Sequence, residues 1–346
     1  MTEGDAVAAM LWTGVTAYAV FGGADFGAGF WSLVAGRGRR GARARELVDW
    51  AIGPVWEANH VWLIFVLVVL WTGFPSAFAA IFTTLFVPLT LAALGIVLRG
   101  SGFAFHKTAR RLRGRVLAER LFGLSSVLTP FFLGTVVGAI AAGRVPAGST
   151  GDPVSSWLNL LSVLIGALFV AMSAYLASVF LISDARRTGA PDLERYFLDR
   201  AIVAALVAGV LAVAGVVELH AKARYVYDGL TGDGLPLVIL SALCGVVTLV
   251  LLRRGARRWA RPSAVGAVVA VVWGWGVAQH PYLLPKTLTI AQGAAPKDTL
   301  TALLVVFGVA LVLVVPSLVL LYMLSQRGLI EETAAPESRA PAEPVS

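Results

Sequence analysis

Residues 53–64 read GPVWEANHVWLI, and the chain stays apolar from there through FVLVVLW to Trp71. A bilayer is crossed by a helix of about 20 apolar residues. This stretch fits that length, yet Glu57 stands in its opening turns. A second carboxylate, Asp25, lies deep in the preceding apolar run, inside GGADFGAGF (residues 22–30). Ionisable groups in hydrocarbon cost roughly 2.5–3.5 kcal/mol each on insertion scales. Two of them in consecutive spans point to use, and proton conduction is the first chemistry to consider.

The rest of the chain agrees with a membrane setting. Of its 346 residues, 58% are hydrophobic and 14% charged, and the mean hydropathy is +0.80. Many long apolar runs and no short alternating strands make it an all-α polytopic membrane protein and not a β-barrel. Its single cysteine, Cys244, excludes an internal disulfide framework or a thiolate metal cluster. The formal charge of +8 sits in short loops between spans, so it reports topology and not nucleic-acid binding. The N-terminus, MTEGDAVAAM, has no basic region, and no small-residue cleavage site follows its apolar segment. It reads as a retained first span.

Nine spans are expected, forming one transmembrane domain over residues 1–324. They cover Val7–Val34, Ala51–Trp71, Pro75–Leu98, Leu121–Ala142, Ser155–Ile182, Ala201–Leu219, Leu235–Leu252, Ser263–Ala278 and Thr299–Leu324. Pro88 and Pro316 are expected to kink the third and ninth. The tail, 325–346, is rich in Glu, Ala and Pro and reads as disordered. Basic residues follow the odd spans: Arg37 to Arg45, Arg99 to Arg120, Arg186 to Arg200 and Arg253 to Arg261. The loops after even spans hold only Arg144, Lys222, Arg224, Lys286 and Lys297. The positive-inside rule then places the N-terminus outside and the C-terminus in the cytoplasm. It brings Asp25, Glu57 and Arg99, on three successive spans, towards the cytoplasmic side. An Arg beside two acids favours their ionised forms, while burial opposes them.

Around Asp25, Gly23 and Gly27 make a GxxxG spacing that lets a neighbouring helix approach, with Gly29 beside them. Such packing around a satisfied acid is one reading, and sealing of a proton route is a compatible second. On the next span Trp56, Asn59 and Trp62 share one helical face, and Glu57, His60 and Ile64 the adjacent one. Glu57 below His60 reads either as a proton-entry pair or as an acid snorkelling within an interfacial Trp belt. His220 and His280, at the outer ends of the sixth and eighth spans, read as interfacial residues satisfied by water. A shared haem site between them is the lesser alternative. No Walker loop, serine-triad elbow or CxxC is present.

At these residues the chain resembles subunit II of the cytochrome bd quinol oxidases. The family's Gly-x-Asp-Phe/Met-Gly-x-Gly element is matched by Gly23, Asp25, Phe26, Gly27 and Gly29. Its Pro-x-Trp-Asp/Glu-Gly-Asn-x-Val-Trp-Leu element is matched by Pro54, Trp56, Glu57, Asn59, Val61, Trp62 and Leu63. Arg99, Gly102, Phe103 and Phe105 match the end of its third span, and Val315-Pro316 with Leu321-Tyr322 resemble its last. Ala58 stands where glycine is usual, His60 where glutamate or glutamine is common, and Ala278–Leu284 matches only loosely.

The resemblance implies two four-helix bundles plus a peripheral helix, in a bacterial plasma membrane. It also implies a heterodimer with subunit I, which would hold haems b and d and the quinol-binding loop. This chain would bind no haem or metal; a structural quinone or lipid and small accessory subunits are compatible with it. Glu57 would be the proton-entry carboxylate, continued or tuned by Asp25, Arg99 and His60. Trp62, with Ile64, would line an oxygen path. The complex would oxidise quinol and reduce oxygen to water. A proton-coupled transporter acting alone, or an assembly subunit whose acids do nothing, are the rival readings. Transporters often show inverted repeats and mid-membrane broken helices; here no clear repeat is seen, and the acids sit off-centre.

Overall fold

A computed structural model describes residues 2–36, 38–52, 56–108 and 112–326. Gly53 and Pro54, the expected helix start, lie outside the described residues, as does the tail from 327 on. Contacts divide the chain into two units, residues 1–300 and 301–346.

The first unit begins with a long bent span. Helix α1 (Glu3–Ala17) starts on a capping box in which the Thr2 hydroxyl accepts from the Asp5 amide and the Asp5 carboxylate accepts from the Thr2 amide. A π-helical turn at Tyr18–Gly22 leads into α2 (Gly23–Val34). Such turns insert a residue and often mark functional sites; this one directly precedes Asp25.

The expected basic connection after this span is itself a helix, α3 (Arg39–Ile52). Ala44, Leu47 and Val48 are buried while Arg39, Arg40, Arg43 and Glu46 are exposed. That spacing makes an amphipathic helix, and its charges conceal the pattern in a hydropathy reading.

Helix α4 (Trp56–Gly73) and α5 (Pro75–Thr84) follow, bent by 117° across the break between them. Phe74 at the bend has φ −138° and is fully buried. A residue before proline is driven from the helical region, and Pro75 then suits the first position of a new helix. The expected third span is divided at Leu85, and α6 (Phe86–Thr108) continues from it. Pro88 therefore lies near the start of a helix and not in the middle of one.

The longer helices come next: α7 (Leu112–Ala141), α8 (Leu160–Arg187), α9 (Pro191–Lys222), a short α10 (Arg224–Thr231), α11 (Leu235–Arg253) and α12 (Ala260–Gln279). Strands β1 (Tyr282–Leu284) and β2 (Leu288–Thr289) pair antiparallel, Tyr282 opposite Thr289 and Leu284 opposite Leu288. Helix α13 (Ile290–Gly293) and α14 (Lys297–Gln326) complete the order. Among the described residues seven helices are long and apolar enough to cross a membrane, eight if α4 and α5 count as one span. The apolar part of α6, Phe86–Gly102, is shorter.

Helix α2 packs between α7 and α8; α6 lies on α7, α8 on α9, α11 on α12, and α1 on α4. Val20, Trp31, Leu176, Ile182, Phe197 and Val268 centre the main core. In the second unit, α14 passes through Pro316 without ending, and Ser317 donates to the Leu313 carbonyl at 2.7 Å.

Candidate functional site

The chain's most buried charges meet where α2, α6 and α7 pack. Arg99 is fully buried, and its Nη2 donates to Asp25 Oδ1 at 2.6 Å and to the Asp25 carbonyl at 3.1 Å. Its Nη1 donates to Ser126 Oγ on α7, and Ser126 in turn donates to the Phe122 carbonyl at 2.6 Å. The guanidinium lies 4.9 Å from the Phe26 ring centre and 4.4 Å from that of Phe122. One cation is thus held by a carboxylate, a carbonyl, a hydroxyl and two aromatic faces, contributed by α2 and α7. Rings at these distances attract a cation through their quadrupole, which offsets part of its lost hydration.

Backbone proximity makes the pair possible. A Cβ on Gly29 would overlap the Ser126 side chain, and one on Gly27 would overlap the Ser173 carbonyl of α8. Gly23, the other half of the GxxxG spacing, meets only ordinary contacts. Trp31 locks the same seam, donating from Nε1 to the Ala174 carbonyl at 2.8 Å. Small residues at such seams let helices approach without lipid between them.

Helix α4 brings the second motif to this pair. Asn59 is buried beside the Asp25 carboxylate, and His60 is its electrostatic neighbour. The His60 ring centre lies 6.3 Å from Phe26 and 6.5 Å from Tyr18. Trp62 is half-buried, edge-on to Phe65 at 6.4 Å, while Ile64 is 60% exposed on the outer surface. The backbone of Trp56 and Glu57 forms the first turn of α4, one turn before His60; their side chains lie outside the described residues. The structure therefore gathers Asp25, Arg99, Asn59 and His60, and sets Ile64 apart from them. Ser126 and Phe122 complete the site without having been singled out in the sequence. Their signal is weak: two serines, Ser125 and Ser126, in an apolar run.

Polar contacts separate the two ends of the helices. At one end Arg43 pairs with Asp192, and Arg261 donates to Asp184 at 2.6 Å and to the Phe180 carbonyl at 2.7 Å. These contacts join α3 to α9 and α12 to α8. At the other end His280 Nε2 stands 3.7 Å from Asp5 Oδ1, and Lys297 Nζ 3.6 Å from Glu3. His220 Nε2 lies 2.7 Å from Arg224 Nη1. Both outer imidazoles thus stand beside charged side chains of this chain. Among the described residues no three His, Cys, Asp or Glu side chains are grouped to hold a metal ion.

Residues 4–325 match the family model for cytochrome bd terminal oxidase subunit II. The chain is 26% identical to cytochrome bd ubiquinol oxidase subunit 2 of Bacillus subtilis (strain 168) over 243 residues, 68% of each chain. It is 25% identical to cytochrome bd-I ubiquinol oxidase subunit 2 of Escherichia coli (strain K12) over 344 residues, 88% of each. In a solved structure of bd oxidase from Geobacillus thermodenitrificans, one chain superposes with a TM-score of 0.75 at 26% identity. That match covers 96% of this chain and all of the other.

Proposed function

Because this chain belongs to the cytochrome bd terminal oxidase subunit II family, and is thereby a membrane-embedded component of a bd quinol oxidase beside a subunit I, we propose that it carries protons from the cytoplasm towards that partner. The observation that supports this is the fully buried Arg99–Asp25 pair, with Asn59 and His60 of the Glu57-bearing helix set against it. A charge pair taken out of water is expensive, and nothing in helix packing requires one here.

In this reading the basic ends of α3, α8, α9 and α12 face the cytoplasm. Glu57 takes up a proton near that surface, and Asn59 and His60 carry hydrogen bonds from its helix to Asp25. Arg99 fixes the Asp25 carboxylate and keeps it accepting. Phe26, Phe122 and the glycine seam exclude lipid and bulk water. The haems of subunit I, when bound, supply the reduction of one O2 by four electrons and four protons to two waters. Two quinols supply the electrons and release their four protons on the outer side, so charge separates without a pump. Trp62 and Ile64 are assigned to oxygen access at the outer surface of α4.

The test is Glu57→Gln in the assembled complex. Quinol-driven oxygen consumption should fall at least tenfold, a modest share of what a positioned acid or base contributes, while the haem spectrum stays. Wild-type turnover in that variant would remove Glu57 from the route. Haem absorbance bound to this chain alone would overturn the assignment of haems to the partner.

A further inference from the structure

A small cavity, about 20 Å³ in volume for water centres, opens between α2, α3, α6 and α7. That exceeds the ~10–15 Å³ that one water needs. Its floor is Ser32, Gly102, Ala118 and Phe122, all buried. Its mouth is Arg45 and Asp49 of α3 and Glu119 of α7, of which Asp49 is exposed and the others half-buried.

Its position relative to the buried pair follows from the helices. Ser32 is one turn beyond Gly29, Gly102 one turn beyond Arg99, and Phe122 one turn before Ser126. Gly29, Arg99 and Ser126 are in mutual contact. Three or four residues of helix advance about 4.5–6 Å. The cavity floor therefore lies one turn below the pair on three helices at once, at the end where the α3 arginines stand. Phe122 belongs to both places: its ring faces the Arg99 guanidinium and also lines the cavity. Above it, Arg99 Nε and Asp25 Oδ2 are buried with no hydrogen-bond partner among the described residues. Buried polar atoms of this kind are usually met by ordered water.

We infer that the cavity between α2, α3, α6 and α7 is a water-filled entrance to the Asp25–Arg99 pair, with Asp49 and Glu119 collecting protons at its mouth and Phe122 separating it from the pair. This rests on the proton-uptake reading above and adds a water access to the pair that acts together with Glu57, so that losing either slows uptake. The two acids hold exchangeable protons at the surface, Arg45 keeps the mouth open by pairing with whichever is ionised, and water in the cavity passes the proton inward. The proton leaves a carboxylic acid at the mouth, and a hydronium or hydrogen-bonded water carries it to the pair. No electron moves.

Three variants of the intact complex test it. In Asp49→Asn/Glu119→Gln, oxygen consumption at saturating quinol should fall about threefold or more, the low end of what charge focusing does to rates, with the haem spectrum intact. Asp25→Asn, which tests the underlying reading, should fall further. Ala118→Val, which adds side-chain volume to the cavity floor, should likewise slow oxygen consumption about threefold, with the haem spectrum intact. Slow Asp25→Asn with a wild-type rate in the double variant would overturn the entrance and leave the uptake reading standing. A wild-type rate in Asp25→Asn would overturn the uptake reading, and the entrance with it. If the double variant fails to assemble, the Ala118→Val complex decides alone: a wild-type rate there overturns the entrance.

Discussion

Separating Asp25 from Arg99 gives the strongest test of what the buried pair does for the fold. Arg99→Gln removes the 2.6 Å ion pair, the 3.1 Å bond to the Asp25 carbonyl and the bond to Ser126. It leaves a carboxylate that is 5% exposed without its cation. Removing one partner of a buried pair costs about 3–5 kcal/mol, because the other charge stays uncompensated. Asp25→Asn strands the Arg99 guanidinium in the same way and should cost a similar amount. The double variant Asp25→Asn/Arg99→Gln restores neutrality and keeps hydrogen-bonding groups on both sides. It should therefore be more stable than the two single losses added together, by about 1.5–3 kcal/mol, the upper half of couplings seen for groups in contact. The assay is a denaturant titration of the purified complex, followed by tryptophan fluorescence, for the four members of the cycle. Single losses that add to within ~0.5 kcal/mol would refute the pair as a coupled unit. Oxygen consumption by the double variant separates the two roles. A complex that is restored in stability but remains slow shows that the charges serve proton movement as well as packing.

Gly27→Leu should abolish assembly, since even a Cβ there overlaps the Ser173 carbonyl and overpacking with freedom to shift already costs about 1–3 kcal/mol; recovery of haem-bearing complex from membranes measures it. In the loop before α8, the Asp152 carboxylate accepts the amides of Val154 at 2.9 Å and Ser155 at 2.6 Å. These backbone amides hold its carboxyl below the ordinary carboxylate range. A lowered folded-state pKa stabilises the fold above the unfolded value and loses that contribution as pH falls through the folded value. Wild-type complex should therefore lose loop stability on acidification while Asp152→Ala, less stable at neutral pH, changes less; hydrogen exchange at residues 154 and 155 reports it.

The membrane class and the meeting of Asp25 with Arg99 could be read from hydropathy, loop charge and two short motifs, whereas nine spans were expected and seven or eight helices among the described residues are long and apolar enough to cross. The readings went astray where charge and apolarity are mixed within one element. Residues 39–52 look like a basic connection because their arginines dominate any average, yet Ala44, Leu47 and Val48 fall on one buried stripe. The division of the expected third span at Leu85 was hidden for the opposite reason. Both sides of Leu85 are apolar, so hydropathy registers no break there. Ser126 was missed because a serine in an apolar helix usually satisfies itself on its own backbone. Ser126 does so through the Phe122 carbonyl, and its partnership with Arg99 needs α6 and α7 to be placed. Glu57 stands out in the sequence as a carboxylate in a span, but its side chain lies outside the described residues.

The buried pair and the cavity beneath it answer opposing demands. A proton route must admit water near an acid, but a membrane seam that admits water freely loses the low dielectric that makes an ion pair strong. Distance along the helices resolves the conflict. At the level of Gly27, Gly29 and Trp31 the α2 backbone closes onto the Ser126 side chain of α7 and the backbone of α8, and the pair is buried there. One turn nearer the basic end, the small residues Ser32, Gly102 and Ala118 leave room where larger ones would have filled it. Phe122 is the single side chain common to both levels. Its ring also holds the Arg99 guanidinium at 4.4 Å, so the side chain that stands between the two levels is itself part of the pair's support.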